Sequence, residues 1–490
     1  MTGSTSQHQL AHRPAPGDHT AAAFFAHSSA RRVSTDTVIV EALRRQYPEL
    51  KLTVAPSSAC NLLGFASSGH ATVTPIGDPD DSPAAGYSAS LKWRQYLPPA
   101  RRMDKSPGAL VDKVQFGKYI YRYKKNEFIL YIVDGRDGTM SYPEVTNNYI
   151  LTSTEQHVVD ELIMAASQWT IELHNEVWVY NDGYWQKSAE LFESARKASW
   201  NEVILDPEMK QTLRDDVNSF FDGQDTYNKL KVPWKRGVIY YGPPGNGKTI
   251  SIKAIMHELY SREEPIPTLY VRSLVNFMGP ERAISDIFSK ARSEAPCLLV
   301  LEDLDSIISD SVRSFFLNEV DGLKSNDGIL MVGSTNHLDR LDPGLSKRPS
   351  RFDRKYLFPD PNLEERTQYC HFWQRKLADN SEIEFPDKLC EAIARITDKF
   401  SFAYIQEAFV AALLKIAAGD SKSYGMRCRG CRNLVDASGF CQCCKYHCAT
   451  YWPDADDKDG DDGELAKYIL WRVIKKQVKI LRDEMDNSDS

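Results

Sequence analysis

The sequence predicts an α/β fold: a parallel sheet wrapped by helices, followed by a helical lid and preceded by a small mixed α+β domain. Three observations predict it. Short, fully apolar runs at Gly237–Tyr241, Cys297–Leu301 and Ile329–Gly333 alternate with helical patterns between Asn201 and about Pro361, as strands buried on both faces should. The first run enters a glycine-rich loop that opens directly into an apolar-periodic helix, Ile250 to Leu259. After Pro361 the chain reads helical to about Ala418.

The remaining elements follow in chain order. Residues 1–32 read as a disordered tail carrying Arg13, Arg31, Arg32 and a single acid, Asp18. An acid-poor, Arg-bearing start also has the composition of a mitochondrial transit peptide, so cytoplasm is the expected compartment and the mitochondrion its alternative. Residues 33–114 read as loosely ordered, with a short helix at Val38–Gln46 and a breaker cluster from Gly77 to Pro83. Residues 115–200 read as the mixed α+β domain. It contains a strand at Phe128–Val133, a helix at Ser153–Trp169 with a Ser153/Gln156 capping box, and a hairpin from Val177 to Trp185 turning on Asn181-Asp182-Gly183. Residues 201–361 form the large α/β part and 362–420 the lid. Residues 421–464 hold a cysteine cluster and an acidic linker, and 465–490 an amphipathic lid helix, Leu465 to Met485.

With 490 residues, 42% hydrophobic and 26% charged, the composition is that of an ordinary globular chain of several domains. The net charge of −7 provides no global field to draw nucleic acid or anionic lipid, so neither is an expected partner. No apolar run approaches the ~18 residues of a membrane-spanning helix.

Gly242-Pro243-Pro244-Gly245-Asn246-Gly247-Lys248-Thr249, then Ile250, matches G-x-x-x-x-G-K-[ST] in the strand–loop–helix context that the motif requires. Glycines let successive backbone amides turn inward around phosphates, and the helix N-terminus adds partial positive charge. Lys248 is placed to reach β- and γ-phosphates, and the Thr249 hydroxyl to reach Mg²⁺. Together they predict a P-loop that binds ATP. The run Cys297–Leu301 ends in Glu302-Asp303-Leu304-Asp305. Carboxylates at that end of a parallel strand face the ligand crevice. Glu302 is assigned to Mg²⁺ and Asp303 to the attacking water, the two together organising Mg²⁺ and water, although Glu-Asp reverses the commoner order of such a pair. Asn336 ends the next apolar run, where it can bond the γ-phosphate or the water. Arg348, Arg351 and Arg354 follow, and a cation delivered to a γ-phosphate can raise phosphoryl-transfer rates by ~10³–10⁵.

These motifs together resemble the AAA subgroup of AAA+ ATPases, over about 200–415. Arg348-Pro349-Ser350-Arg351 is similar to that family's R-P-G-R stretch. The resemblance implies that Arg348 and Arg351 act on a neighbouring subunit's ATP, hence a homo-oligomeric ring such as a hexamer, and a protein client. Glu302-Asp303, the preceding domain, Trp234-Lys235-Arg236-Gly237 and Phe400-Ser401-Phe402-Ala403-Tyr404 resemble the branch that includes the mitochondrial chaperone of the Rieske protein and filamentous-fungal relatives. Phe277-Met278-Gly279 stands where the family carries a pore loop, and reads equally as a packing turn. Two alternatives remain: a nucleotide-regulated scaffold with little turnover, favoured by the reversed acidic pair, and a nucleic-acid remodeller.

The second alternative rests on the cysteine cluster. Cys428-x₂-Cys431 and Cys441-x₂-Cys444, nine residues apart, have tetrahedral Zn²⁺-ligand spacing, with Cys443, His447 and Cys448 as spare ligands. Arg427, Arg429, Arg432 and Lys445 make the segment locally basic.

Overall fold

The computed structural model describes residues 26, 34–76, 90–98, 107–135, 146–321, 324–346, 351–418, 440–441, 446–447 and 464–488. The chain divides into two units, Met1–Glu172 and Leu173–Ser490.

The first unit is built on a six-stranded antiparallel sheet. Its strands are β1 (Lys51–Pro56), β2 (Thr72–Pro75), β3 (Leu91–Leu97), β4 (Ala109–Tyr123), β5 (Asn126–Asp134) and β6 (Thr146–Thr152). They run in the order β1-β6-β5-β4-β2, with β3 also on β4. The two-residue period of β5 sends alternate side chains to opposite faces. Phe128, Leu130 and Ile132 meet Val159, Leu162 and Ala166 of helix Gln156–Ile171. Tyr131 and Val133 meet Leu43 of helix Thr35–Gln46. Two sequence expectations are corrected here. Residues 33–114, read from sequence as loosely ordered, contribute β1 to β3 and the start of β4: β1 pairs with β6, Lys51 opposite Thr152, and β2 and β3 pair with β4. The Ser153/Gln156 capping box does not form: the helix starts at Gln156, whose amide bonds Thr53 and Asp160 instead.

The second unit contains a seven-stranded sheet in the order β13-β9-β12-β11-β10-β7-β8. Its strands are β7 (Val177–Asn181), β8 (Tyr184–Ser188), β9 (Lys235–Tyr241), β10 (Thr268–Val271), β11 (Cys297–Leu301), β12 (Ile329–Thr335) and β13 (Arg354–Leu357). All neighbours are parallel except the β7–β8 hairpin. That hairpin was expected in the preceding domain. It belongs to this sheet, since Trp178, Val179 and Tyr180 pair with Leu269, Tyr270 and Val271. The sheet is buried on both sides, as its continuous apolar strands require. Val238, Tyr240, Leu298 and Val300 enter one core, Ile239, Leu299 and Leu301 the other.

The lid comprises helices Leu363–Lys376, Asp387–Ile396, Phe402–Ala417 and Ile469–Ser488, which share one core around Trp373, Ile393, Phe409 and Ile474. The last helix joins this core from beyond the cysteine-rich segment, which is therefore an insertion into the lid. Among the described residues, no helix is long and apolar enough to cross a membrane.

Candidate nucleotide site

Strand β9 lies inside the sheet, between β12 and β13, and delivers the loop 242–247 to its C-terminal edge. The backbone there is one that only glycine adopts freely: φ is 135° at Gly242 and 79° at Gly245. A Cβ on Gly242 would sit 2.2 Å from the Phe358 carbonyl, and one on Gly245 2.5 Å from the Ala403 Cβ. Helix Lys248–Tyr260 begins immediately after the loop. Lys248 is 8% exposed, and its ammonium donates to the carbonyls of Gly242 (2.7 Å) and Pro243 (2.8 Å). Burial lowers its pKa, while Asp303, Asp305 and Glu302 pull against that.

The loop opens onto a cavity of about 450 Å³. Pro244, Gly245, Gly247, Lys248, Thr249 and Ile250 form its floor, and Glu302, Asp303, Ser334 and Asn336 one wall. The ends of β9, β11 and β12 thus bring together the expected lysine, hydroxyl, acids and amide. Three expected loop residues do not line the cavity. Gly242 and Pro243 turn their carbonyls to Lys248. Asn246, 1% exposed, faces the lid: its amide donates to Asp360 (2.9 Å), and its carbonyl accepts from the Phe402 amide (3.4 Å).

The two acids differ in setting. The Tyr270 hydroxyl on β10 donates to Glu302 Oε2, whereas Glu302 Oε1 is buried with no hydrogen-bond partner among the described residues. Asp303 is exposed to the cavity and adopts left-handed backbone, φ 51° and ψ 52°, a conformation that Asp and Asn tolerate better than most residues. Its amide donates to Ser334 Oγ at 3.3 Å, and its carbonyl accepts from Ser306 and Ile307. Asp305 turns aside to accept from Thr335 Oγ1 at 2.7 Å. The Asn336 side chain has no partner among the described residues and points its surface to the cavity.

The opposite wall was not read from the sequence as part of a site. Glu202, Val203 and Ile204 come from the segment before helix Pro207–Asp222, and Tyr369, Phe402, Ala403 and Gln406 from the lid. Phe402 packs edge-on against Tyr369. An apolar Val203-Ile204 pair outside any strand or helix was the available signal for the first group.

The arginines fare differently. Arg348 lies outside the described residues. Within the chain, the Arg351 guanidinium forms a two-point pair with Asp321 (2.8 and 2.5 Å) and donates to the Gly344 carbonyl (2.6 Å). It is 6% exposed, and Asp321 raises its pKa. Arg354 is an exposed partner of Asp216 (3.5 Å). Phe277 and Met278 are 94% and 62% exposed, just before helix Pro280–Glu294. Cys428, Cys431 and Cys444 fall outside the described residues. Cys441 is placed only as backbone, in strand Phe440–Cys441 antiparallel to Tyr446–His447. No metal-binding group of His, Cys, Asp or Glu occurs among the described residues.

A glycine cradle, its lysine and a carboxylate-lined strand edge define a P-loop nucleotide-binding domain. Its particular kind follows from comparison: residues 238–360 match the family described as "ATPase family associated with various cellular activities (AAA)". The chain therefore carries an AAA ATPase domain. It is 31% identical over 225 residues to the ATPase family gene 2 protein of Schizosaccharomyces pombe, covering 44% of this chain and 27% of that one. It is 29% identical over 244 residues to the ATPase family gene 2 protein of Saccharomyces cerevisiae, 46% and 30% of the respective chains. A third relative is the ATP-dependent zinc metalloprotease FtsH of Magnetococcus marinus, 30% identical over 232 residues, 44% and 33% of the chains. The chain thus spans about a third of the length of these curated relatives.

Proposed function

We propose that this chain hydrolyses ATP to ADP and phosphate in the cavity above Lys248 and couples the reaction to remodelling or translocating a protein client. The observation that carries the reading is the meeting of Lys248, Thr249, Glu302, Asp303 and Asn336 on one cavity beneath the lid. The glycine loop and helix N-terminus bind the polyphosphate, and Lys248 leaves its loop carbonyls for the β- and γ-oxygens. Asp303, whose carboxylate has no hydrogen bond among the described residues and faces the cavity, accepts the proton of the water as its oxygen attacks the γ-phosphorus in line and the bond to ADP breaks. Asn336 orients that water or a γ-oxygen. The buried, unpartnered Oε1 of Glu302 and the nearby Thr249 hydroxyl suit a hard cation with oxygen ligands. Bound there, Mg²⁺ would neutralise charge on the β- and γ-phosphates.

Arg348 and Arg351 are the residues proposed to act across a subunit boundary in a ring, on the sequence resemblance, Arg351 after release from its pair with Asp321. The exposed Phe277-Met278 pair supports a peptide-gripping role. The branch of the Rieske-protein chaperone is the proposed subgroup on the sequence resemblance alone, and its client does not come with it. Zn²⁺ at Cys428, Cys431, Cys441 and Cys444 is proposed on spacing. Nucleic acid is not a proposed partner.

Phosphate release by purified protein, against a Lys248→Ala background, tests the reading. Turnover well above that background, stimulated by unfolded or assembled protein, is the expected result. Tight ATP binding without turnover above background would support the scaffold instead.

A further inference from the structure

Tyr270 sits on β10 in register with Val300 of β11. Side chains alternate along a strand, so Glu302, two residues beyond Val300, emerges on the same face as Tyr270 and diagonally across from it. The ring is half-buried and packs against the core of that face. Its hydroxyl reaches Glu302 Oε2. Among the described residues Glu302 has no other side-chain partner, and its second oxygen, Oε1, is buried and unbonded. One carboxylate oxygen is therefore fixed from behind and the other is left for the site.

We propose that Tyr270 is a positioning residue: it orients the Glu302 carboxylate so that Oε1 is offered to the divalent cation of the nucleotide complex. The inference rests on the ATPase reading of the cavity. The physical reason is general. A carboxylate ligand that can rotate must be ordered when the cation arrives, and a fixed outer hydrogen bond removes that cost. The neighbours of Glu302 cannot substitute. Asp305 is engaged by Thr335, and Ser334 Oγ accepts from the Asp303 amide.

Tyr270→Phe removes the hydroxyl and keeps the ring. The test is isothermal titration of ADP and of a non-hydrolysable ATP analogue, in EDTA and across a Mg²⁺ series, alongside the Mg²⁺ dependence of phosphate release. The wild type binds the analogue more tightly with Mg²⁺ than in EDTA. Tyr270→Phe is expected to bind nucleotide in EDTA within about twofold of the wild type, which also reports an intact fold, while its half-saturating Mg²⁺ rises about tenfold, in both binding and turnover. A purely structural tyrosine would lower Tm and leave the Mg²⁺ dependence unchanged, and that result overturns the proposal. If the variant loses EDTA binding, Tyr270→His, a ring with its own donor, must restore the wild-type Mg²⁺ dependence, or the proposal falls. A wild type that binds no nucleotide, or gains nothing from Mg²⁺, would instead sink the underlying ATPase reading.

Discussion

Lys248 and Arg351 illustrate why residue identity alone does not fix a role. Both are cations expected at phosphate, and both are largely buried. Lys248 is held by two carbonyls of its own loop, neutral partners that a polyphosphate can displace. Arg351 is held by a carboxylate at two points, which an approaching phosphate cannot easily outbid. Replacing Lys248 by Ala should therefore lower turnover by about 10²-fold or more, measured by phosphate release, with the melting temperature little changed. Arg351→Ala should instead lower stability by about 1–3 kcal/mol in chemical denaturation of the unassembled protein. If it left stability intact and abolished only turnover, the proposed role on a neighbouring subunit would account for it. The motif lysine was legible because loop, strand and helix are contiguous. The engagement of Arg351 was not, because Asp321 is thirty residues away and nothing local in the sequence marks the pair.

Elements show the same division between local and distant causes. Strands β9, β11 and β12 could be read from continuous apolar runs, and with them the edge that carries Glu302, Asp303 and Asn336. The β7–β8 hairpin was legible as a hairpin, but its place beside β10 depends on a parallel pairing across some ninety residues. Helices Pro207–Asp222 and Lys248–Tyr260 are tied by Glu258, which accepts from Arg214 (3.0 Å), Asn218 (2.9 Å) and the Trp200 indole (2.6 Å). Burial alone would raise the Glu258 pKa, but these donors outweigh it and hold it below the usual carboxylate value. A depressed carboxylate pKa contributes stability above the unfolded value, and that contribution is lost as pH falls through the folded one. Glu258→Gln should thus lower the melting temperature at pH 7, and the gap from wild type should narrow as pH drops below about 4.5. A gap that stayed constant with pH would remove the charge from the explanation. Asn246 joins loop to lid through Asp360 and the Phe402 amide. Asn246→Ala should speed hydrogen exchange at the start of helix Phe402–Ala417 and weaken nucleotide binding. Unchanged exchange there would show that the lid docks without it.

At the scale of the molecule, the sequence revealed the α/β unit and the lid but not the extent of the first unit, in whose sheet β1 pairs with β6 from opposite ends of that unit. Antiparallel pairing over such a span leaves no local signature beyond short alternating runs. If Arg348 completes a neighbour's site, light scattering with ATP should show a large assembly that disperses without nucleotide, and a strict monomer would exclude that role. If the cysteine-rich insertion in the lid is a zinc site, protein purified without chelators should carry about one equivalent of Zn²⁺, and a metal-free protein would leave those thiols without a ligand role. The edges of β9, β11 and β12 are proposed to form one ATP-cleaving centre with Asp303 as its base. Retention of radiolabelled ATP by Asp303→Asn tests it most directly, since Asn keeps the left-handed backbone and removes only the basic oxygen. This variant is expected to hold unhydrolysed ATP stoichiometrically while releasing almost no phosphate. Release at the wild-type rate would contradict it.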